Sequence, residues 1–148
     1  MDTLENVKTP KDECEDLLNE IMPAVNNLLI KNKEFYPVGA VMGKDGEISF
    51  TAYASENEHP TSEEVLQELI KMHKQKAEED VIKASAIAWN AVGIGNTGKK
   101  SDMVAISLEH KDNYSVVIVE PYKIGLFKKV TFEQILANEG KTDIWANK

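Results

Sequence analysis

The chain has 148 residues, a formal net charge of −8 and 42% hydrophobic residues, enough for one domain with a real core. All 17 basic residues are lysine; without arginine's planar fork, and with this negative balance, neither nucleic acid nor an arginine-clamped anionic substrate is expected as partner. No apolar run approaches the roughly 20 residues of a membrane span, Met1-Asp2-Thr3-Leu4-Glu5 lacks the order of a secretion signal, and Cys14 is the single cysteine, so a cytoplasmic protein with no disulfide, cofactor or membrane contact is expected.

Charge is unevenly placed: residues 1–80 carry 18 acids and 8 lysines, a balance of −10, and residues 81–148 a balance of +2. Residues 1–8 read as a loose tail ahead of a single domain spanning 9–148. Thr9 offers an N-cap, with Pro10 at the first helical position and Asp12 at the third, close to a capping box. Cys14, Leu17, Leu18, Ile21, Val25, Leu28 and Leu29 then recur at helical spacing through about Asn32. Pro23 lies inside that pattern and predicts a kink or a break. Asp12, Glu13, Glu15 and Asp16 give this helix an acidic start.

Two apolar runs, Pro37–Met42 and Glu47–Tyr53, flank Gly43-Lys44-Asp45-Gly46, and Asp-Gly between such runs predicts a hairpin. The loop 55–60, with Glu56 and Glu58, leads to Thr61-Ser62-Glu63-Glu64, a second capping box. Val65, Leu66, Leu69, Ile70, Met72, His73 and Ala77 give the following helix its buried face, and Asp80 marks its end. His73 on that face reads as a core histidine with one hydrogen-bond partner.

Residues 81–92 are apolar with little alternation, as a strand covered on both faces would be. Gly93-Ile94-Gly95-Asn96-Thr97-Gly98-Lys99-Lys100 approaches the phosphate-binding pattern G-x-x-x-x-G-K-[ST]. Lys100 stands where the magnesium-ligating hydroxyl should be, and Ser101 onward continues as a strand instead of opening a helix. The segment is therefore read as a flexible hairpin connection. Met103–Leu108 and Tyr114–Val119 are two more strands around a Lys111-Asp112-Asn113 turn. Thr131-Phe132-Glu133-Gln134 predicts a third helix, stopped by Asn138-Glu139-Gly140, and Ile144 and Trp145 are apolar enough to dock on the body.

The expected fold is α+β in the order α-β-β-α-β-β-β-α, a five-stranded, mainly antiparallel sheet with packed helices. That order resembles the roadblock and profilin-like domains, with Val38-Gly39-Ala40-Val41-Met42 and Asp45-Gly46-Glu47-Ile48 looking like their first hairpin. A second, local resemblance is carried by Phe35-Tyr36-Pro37-x-Gly39, Lys100-Ser101-Asp102, Leu108-Glu109-His110 and Pro121-Tyr122. These look like a group of small bacterial proteins without assigned chemistry. Some small acidic proteins of this kind are immunity partners of toxins.

Catalytic signatures are weak. Glu109 and His110 are adjacent on a strand, so their side chains take opposite faces and cannot form a dyad; a distributed site would need a carboxylate from elsewhere beside His110. Ser101 lacks the G-x-S-x-G elbow of an activated serine. Glu56-Asn57-Glu58-His59 lacks H-E-x-x-H spacing, so no metal is expected there. Cys14, on an apolar helix face, is expected to be buried and inert. The few lysines around residues 124–127, namely Lys123, Lys128 and Lys129, are too few to hold a membrane.

The reading that results is a non-enzymatic protein-binding module, homodimeric, in one version an acidic immunity or inhibitor protein facing a basic partner. Its contact residues would be Asp12, Glu13, Glu15, Asp16, Glu56 and Glu58 with the aromatic anchors Phe35, Tyr36 and Tyr122. The alternative is a small-ligand-binding domain or small enzyme with a pocket on the sheet, lined by Ser107, Glu109, His110 and Tyr114.

Overall fold

The computed structural model describes residues 7–56, 58–94, 98–124, 130–132, 136–140 and 143–145. The first helix, α1 (Pro10–Asn32), starts as its sequence dictates. Thr9 Oγ1 accepts from the Asp12 amide at 3.1 Å, and the Asp12 carboxylate accepts from the Thr9 amide at 3.0 Å. The helix runs unbroken through Pro23. Pro23 and Asn19 both lie on the exposed side, so the Asn19 carbonyl, deprived of its usual donor, is turned away from the core.

Strands β1 (Val38–Gly43) and β2 (Ile48–Thr51) form the expected hairpin, with Gly46 in the left-handed region its turn requires. Helix α2 (Ser62–Glu78) is capped by the Thr61 hydroxyl, which accepts from the Glu64 amide. β3 (Ile82–Ile94), β4 (Lys100–His110) and β5 (Tyr114–Ile124) form an antiparallel meander. The five strands pair in the order β2-β1-β3-β4-β5, so α2 carries the chain over β1.

Alternation along the strands divides the core into two layers. On one face Ala40, Met42, Ala84, Ala86, Ala88, Val104, Ile106 and Leu108 receive Leu17, Ile21, Val25 and Leu29 of α1. The alanines keep the sheet surface low, so the large helix side chains fill the space between. On the other face Ile87 and Trp89 meet Val65, Leu69 and Ile70 of α2, together with Ile144. The central strand is covered on both sides, which is why its apolar run shows so little alternation.

The end of the chain differs from expectation. Val130–Phe132 and Leu136–Glu139 are short strands, β6 and β7, and both pair antiparallel with the outer edge of β5. The predicted third helix is absent from these described residues; residues 133–135, where its first turn was expected, lie outside them. Val130, Thr131 and Phe132 favour extended backbone, and an open edge of β5 offers that backbone hydrogen-bond partners that a short, isolated helix would have lacked. The centre of the Gly93–Lys100 connection, residues 95–97, and the segment 125–129 also lie outside the description. Its flanks are clear: Ile94 pairs with Lys100, and the chain continues as strand β4 and not as a helix.

Candidate functional site

Residues after α1 build one side of a wide groove. Lys33 caps the helix in the left-handed region, its amide donating to the Leu29 carbonyl at 2.8 Å. Pro37 disfavours helical backbone at Tyr36; Phe35 is buried in the core while Tyr36 projects outward and is 51% exposed. The Tyr36 hydroxyl donates to the Pro60 carbonyl at 2.9 Å, tying this segment to the start of α2. Between them opens a groove of about 790 Å³ whose other wall is Asn90, Val92, Asp102 and Tyr122 from the ends of three strands.

On that wall the Tyr122 hydroxyl donates to Asn90 Oδ1 at 2.9 Å, reaching across β4. Burial first, and then the Asp102 charge, raise the pKa of this phenol. Val92, at the rim, is 66% exposed. The groove thus combines a half-exposed tyrosine, an exposed valine, two amides, Asn32 and Asn90, and two acids, Glu34 and Asp102, with one lysine, Lys33. Phe35, Tyr36, Pro37, Asp102 and Tyr122, five of the residues that carry the second resemblance, come together here. Phe35 and Tyr122 are nearly buried and form its floor, so of the three expected aromatic anchors Tyr36 is the one that projects.

Glu109 and His110 do other work. They take opposite faces, as strand alternation requires. Glu109 is buried, its carboxylate accepting from the Ile144 amide at 3.1 and 3.2 Å and from the Trp145 amide at 2.6 Å. Burial raises its pKa against the pull of these amides. His110 faces α1, its Nδ1 accepting from the Asp112 amide at 3.0 Å, so Nε2 carries the proton and donates to Glu13 Oε1 at 3.0 Å. The second Glu13 oxygen is paired with Lys83. Lys83 is the extra residue of a bulge, since Met42 pairs with Ala84 and Gly43 with Ile82. Burial opposes ionisation of Glu13, but the bonds from Lys83 and His110 outweigh it and hold its pKa below the usual range. His110 has therefore found a carboxylate from elsewhere, in a closed internal pair.

The other acids of α1 divide similarly. Asp12 closes the capping box and Asp16 pairs with Lys8 at 2.6 Å; Glu15 alone of the four makes no described side-chain bond and is exposed. Glu56 and Glu58 are exposed; Asn57 between them lies outside the described residues. Of the expected sheet pocket, Ser107 lines one cavity, while Glu109, His110 and Tyr114 border a separate cleft. Ile144 lines the first and Trp145 the second, so the C-terminal segment divides the set. Cys14 is fully buried, and burial pushes its thiol up to about 12.

His73 is a core histidine with two partners. Its Nε2 lies 2.7 Å from Thr51 Oγ1 and its Nδ1 2.7 Å from Ser85 Oγ, with no exposed surface. Burial lowers its pKa to about 4. Neither Asn90 nor Ser85 was singled out by sequence; the only signal was a polar residue interrupting an apolar strand.

Among the described residues no group of His, Cys, Asp or Glu side chains is placed to hold a metal ion, and no helix is long and apolar enough to cross a membrane. The architecture is that of an α+β domain with an antiparallel sheet between two helices. Comparison of the chain with protein families, with curated proteins and with solved structures returns no match.

Proposed function

We propose that the chain is a non-enzymatic binding module of the roadblock/profilin-like kind that engages a protein partner through the groove after α1. One observation carries this reading: Tyr36 and Val92 stand exposed on the two sides of a wide groove whose floor is fixed by Phe35 and the Tyr122–Asn90 bond. A rigid floor with an exposed aromatic at its edge suits a protein segment, because aromatic side chains anchor interfaces. Glu34 and Asp102 favour a basic residue on that segment, and the net charge of −8 favours a basic partner at longer range. An acidic, cytoplasmic immunity or inhibitor protein is the version that unites these features. Its contact acids would be Glu15, Glu56 and Glu58 with the groove pair, because Asp12, Glu13 and Asp16 hold internal bonds.

The test is capture from the native cell at low and high salt, with wild type, Tyr36→Ala and Asp102→Asn, and the mass of the free protein by light scattering. A stoichiometric partner is expected that Tyr36→Ala loses, an effect of about 2 kcal/mol for a central aromatic anchor, and that high salt weakens. Undiminished capture by Tyr36→Ala would sink the groove as the contact surface. A homodimer unaffected by either variant would move the reading to self-association elsewhere on the molecule.

A further inference from the structure

The chain covers one edge of its sheet and leaves the other open. The outer side of β5 carries β6 and β7, whereas no described strand pairs with the outer side of β2. The Gly43 amide donates to the Glu47 carbonyl at 2.8 Å, which makes these two residues a hydrogen-bonded pair. Bonded and non-bonded pairs alternate along an antiparallel ladder. With Val41 opposite Ser49 and Gly39 opposite Thr51, the backbone of Glu47, Ser49 and Thr51 turns toward β1. The amides and carbonyls of Ile48 and Phe50 therefore point off the open edge.

Three features make this edge fit to pair. Its strand is fixed from behind: the Asp45 carboxylate accepts from the Glu47 amide at 2.9 Å, and Thr51 Oγ1 lies 2.7 Å from His73 Nε2. Nothing in residues 47–53 blocks it, since there is no lysine or proline and the register with β1 has no bulge. Finally, Phe50 lies opposite Ala40, which puts its ring beside Ile48 on the α1 face, and it is 50% exposed.

We propose that the β2 edge pairs antiparallel with the β2 edge of a second copy, about a two-fold axis through Ser49. In that register Ile48 of each copy lies opposite Phe50 of the other, and each such pair exchanges both of its backbone hydrogen bonds. The Ile48 and Phe50 side chains of both copies gather on the α1 face, which covers the exposed ring. Glu47 meets Thr51, so no like charges stand opposite. A second copy is the occupant because the outward groups of this edge are their own complement under a two-fold. So short a strand makes a small interface, and the dimer is expected to be weak. The edge shares no residue with the groove lining, so the inference stands apart from the partner-binding reading.

The experiment follows the full chain by light scattering and by residue-resolved amide hydrogen exchange, from about 10 µM to about 1 mM. A dimer is expected to form over that range and to strengthen with added salt, because two chains of net charge −8 repel. Partner capture through the groove weakens with salt instead, so the failures of the two readings are told apart. The Ile48 and Phe50 amides should exchange freely at the low end and about tenfold more slowly at the high end. The Ser49 and Thr51 amides, bonded to β1, should be slow throughout. Phe50→Lys should weaken the dimer by about tenfold or more, and slow Ser49 and Thr51 amides in that variant show its hairpin intact. Four outcomes would each overturn the proposal: a monomer at the highest concentration, Ile48 and Phe50 amides already protected in the monomer, a dimer in which they still exchange freely, or one that Phe50→Lys leaves unchanged.

Discussion

Between Gly39 and His73 there is no room for a side chain. A Cβ on Gly39 would lie 2.8 Å from His73 Nε2 and still nearer to Thr51 Oγ1. The imidazole can cross above β1, linking β2 to β3, because that strand carries a bare backbone at this point. The pair also sets a pH dependence. An unfolded histidine titrates near 6.5 and this one near 4, so the unfolded chain binds the extra proton in between. Stability from His73 is therefore full above about pH 6.5 and is lost as pH falls toward 4, by about 3 kcal/mol in all. Glu109 and Glu120, whose pKa values burial raises, act in the opposite sense over the lower part of this window. The difference in urea midpoint between wild type and His73→Gln should thus narrow as pH falls from 7 to 4.5. A constant difference would show that His73 does not titrate with folding.

At the scale of elements, α1 carries a local contradiction that its packing overrides. Proline in a helix interior is less favourable than alanine by about 3 kcal/mol, yet the helix continues because its buried stripe, Leu17, Ile21, Val25 and Leu29, is continuous across the break in the ladder. Pro23→Ala, at an exposed position, should raise the unfolding free energy by about 1–3 kcal/mol. An unchanged or lowered urea midpoint would mean that a bend at Pro23 is part of how α1 fits the sheet. The elements legible in the sequence were those with two concordant signals: the caps of α1 and α2 beside their apolar stripes, the Asp-Gly turn between alternating runs, the dense apolar run of β3. After Thr131 a cap-like Thr-x-x-Gln stands without a continuous apolar stripe behind it. Extended pairing there depends on the free edge of β5, which local sequence does not record. The site was legible only in part, for the same reason. Phe35, Tyr36 and Tyr122 declare themselves as aromatics, but the role of Asn90 comes from register, which brings it within reach of a tyrosine 32 residues away. Glu13 looked like surface charge, and the bulge that aims Lys83 at it is invisible in a pattern of residue types.

For the whole molecule, the sheet order separates local from distant contacts. β3, β4 and β5 pair with sequence neighbours, whereas α1 packs on β3 and β4 as well as on the nearby β1, and the Glu13–His110 bond joins residues 97 apart. Closing so long a loop costs entropy before any contact repays it. The consequence concerns time: the meander should be ordered in the folding transition state and α1 should dock after it. Leu17→Ala should then act mainly by speeding unfolding, while Ile106→Val in β4 should slow folding. If Leu17→Ala slows folding by its full equilibrium effect, the first helix belongs to the nucleus and the order is reversed. In the expected order, the alanine-paved face of the sheet exists for a moment without its cover, and that bare surface is where a second chain would interfere.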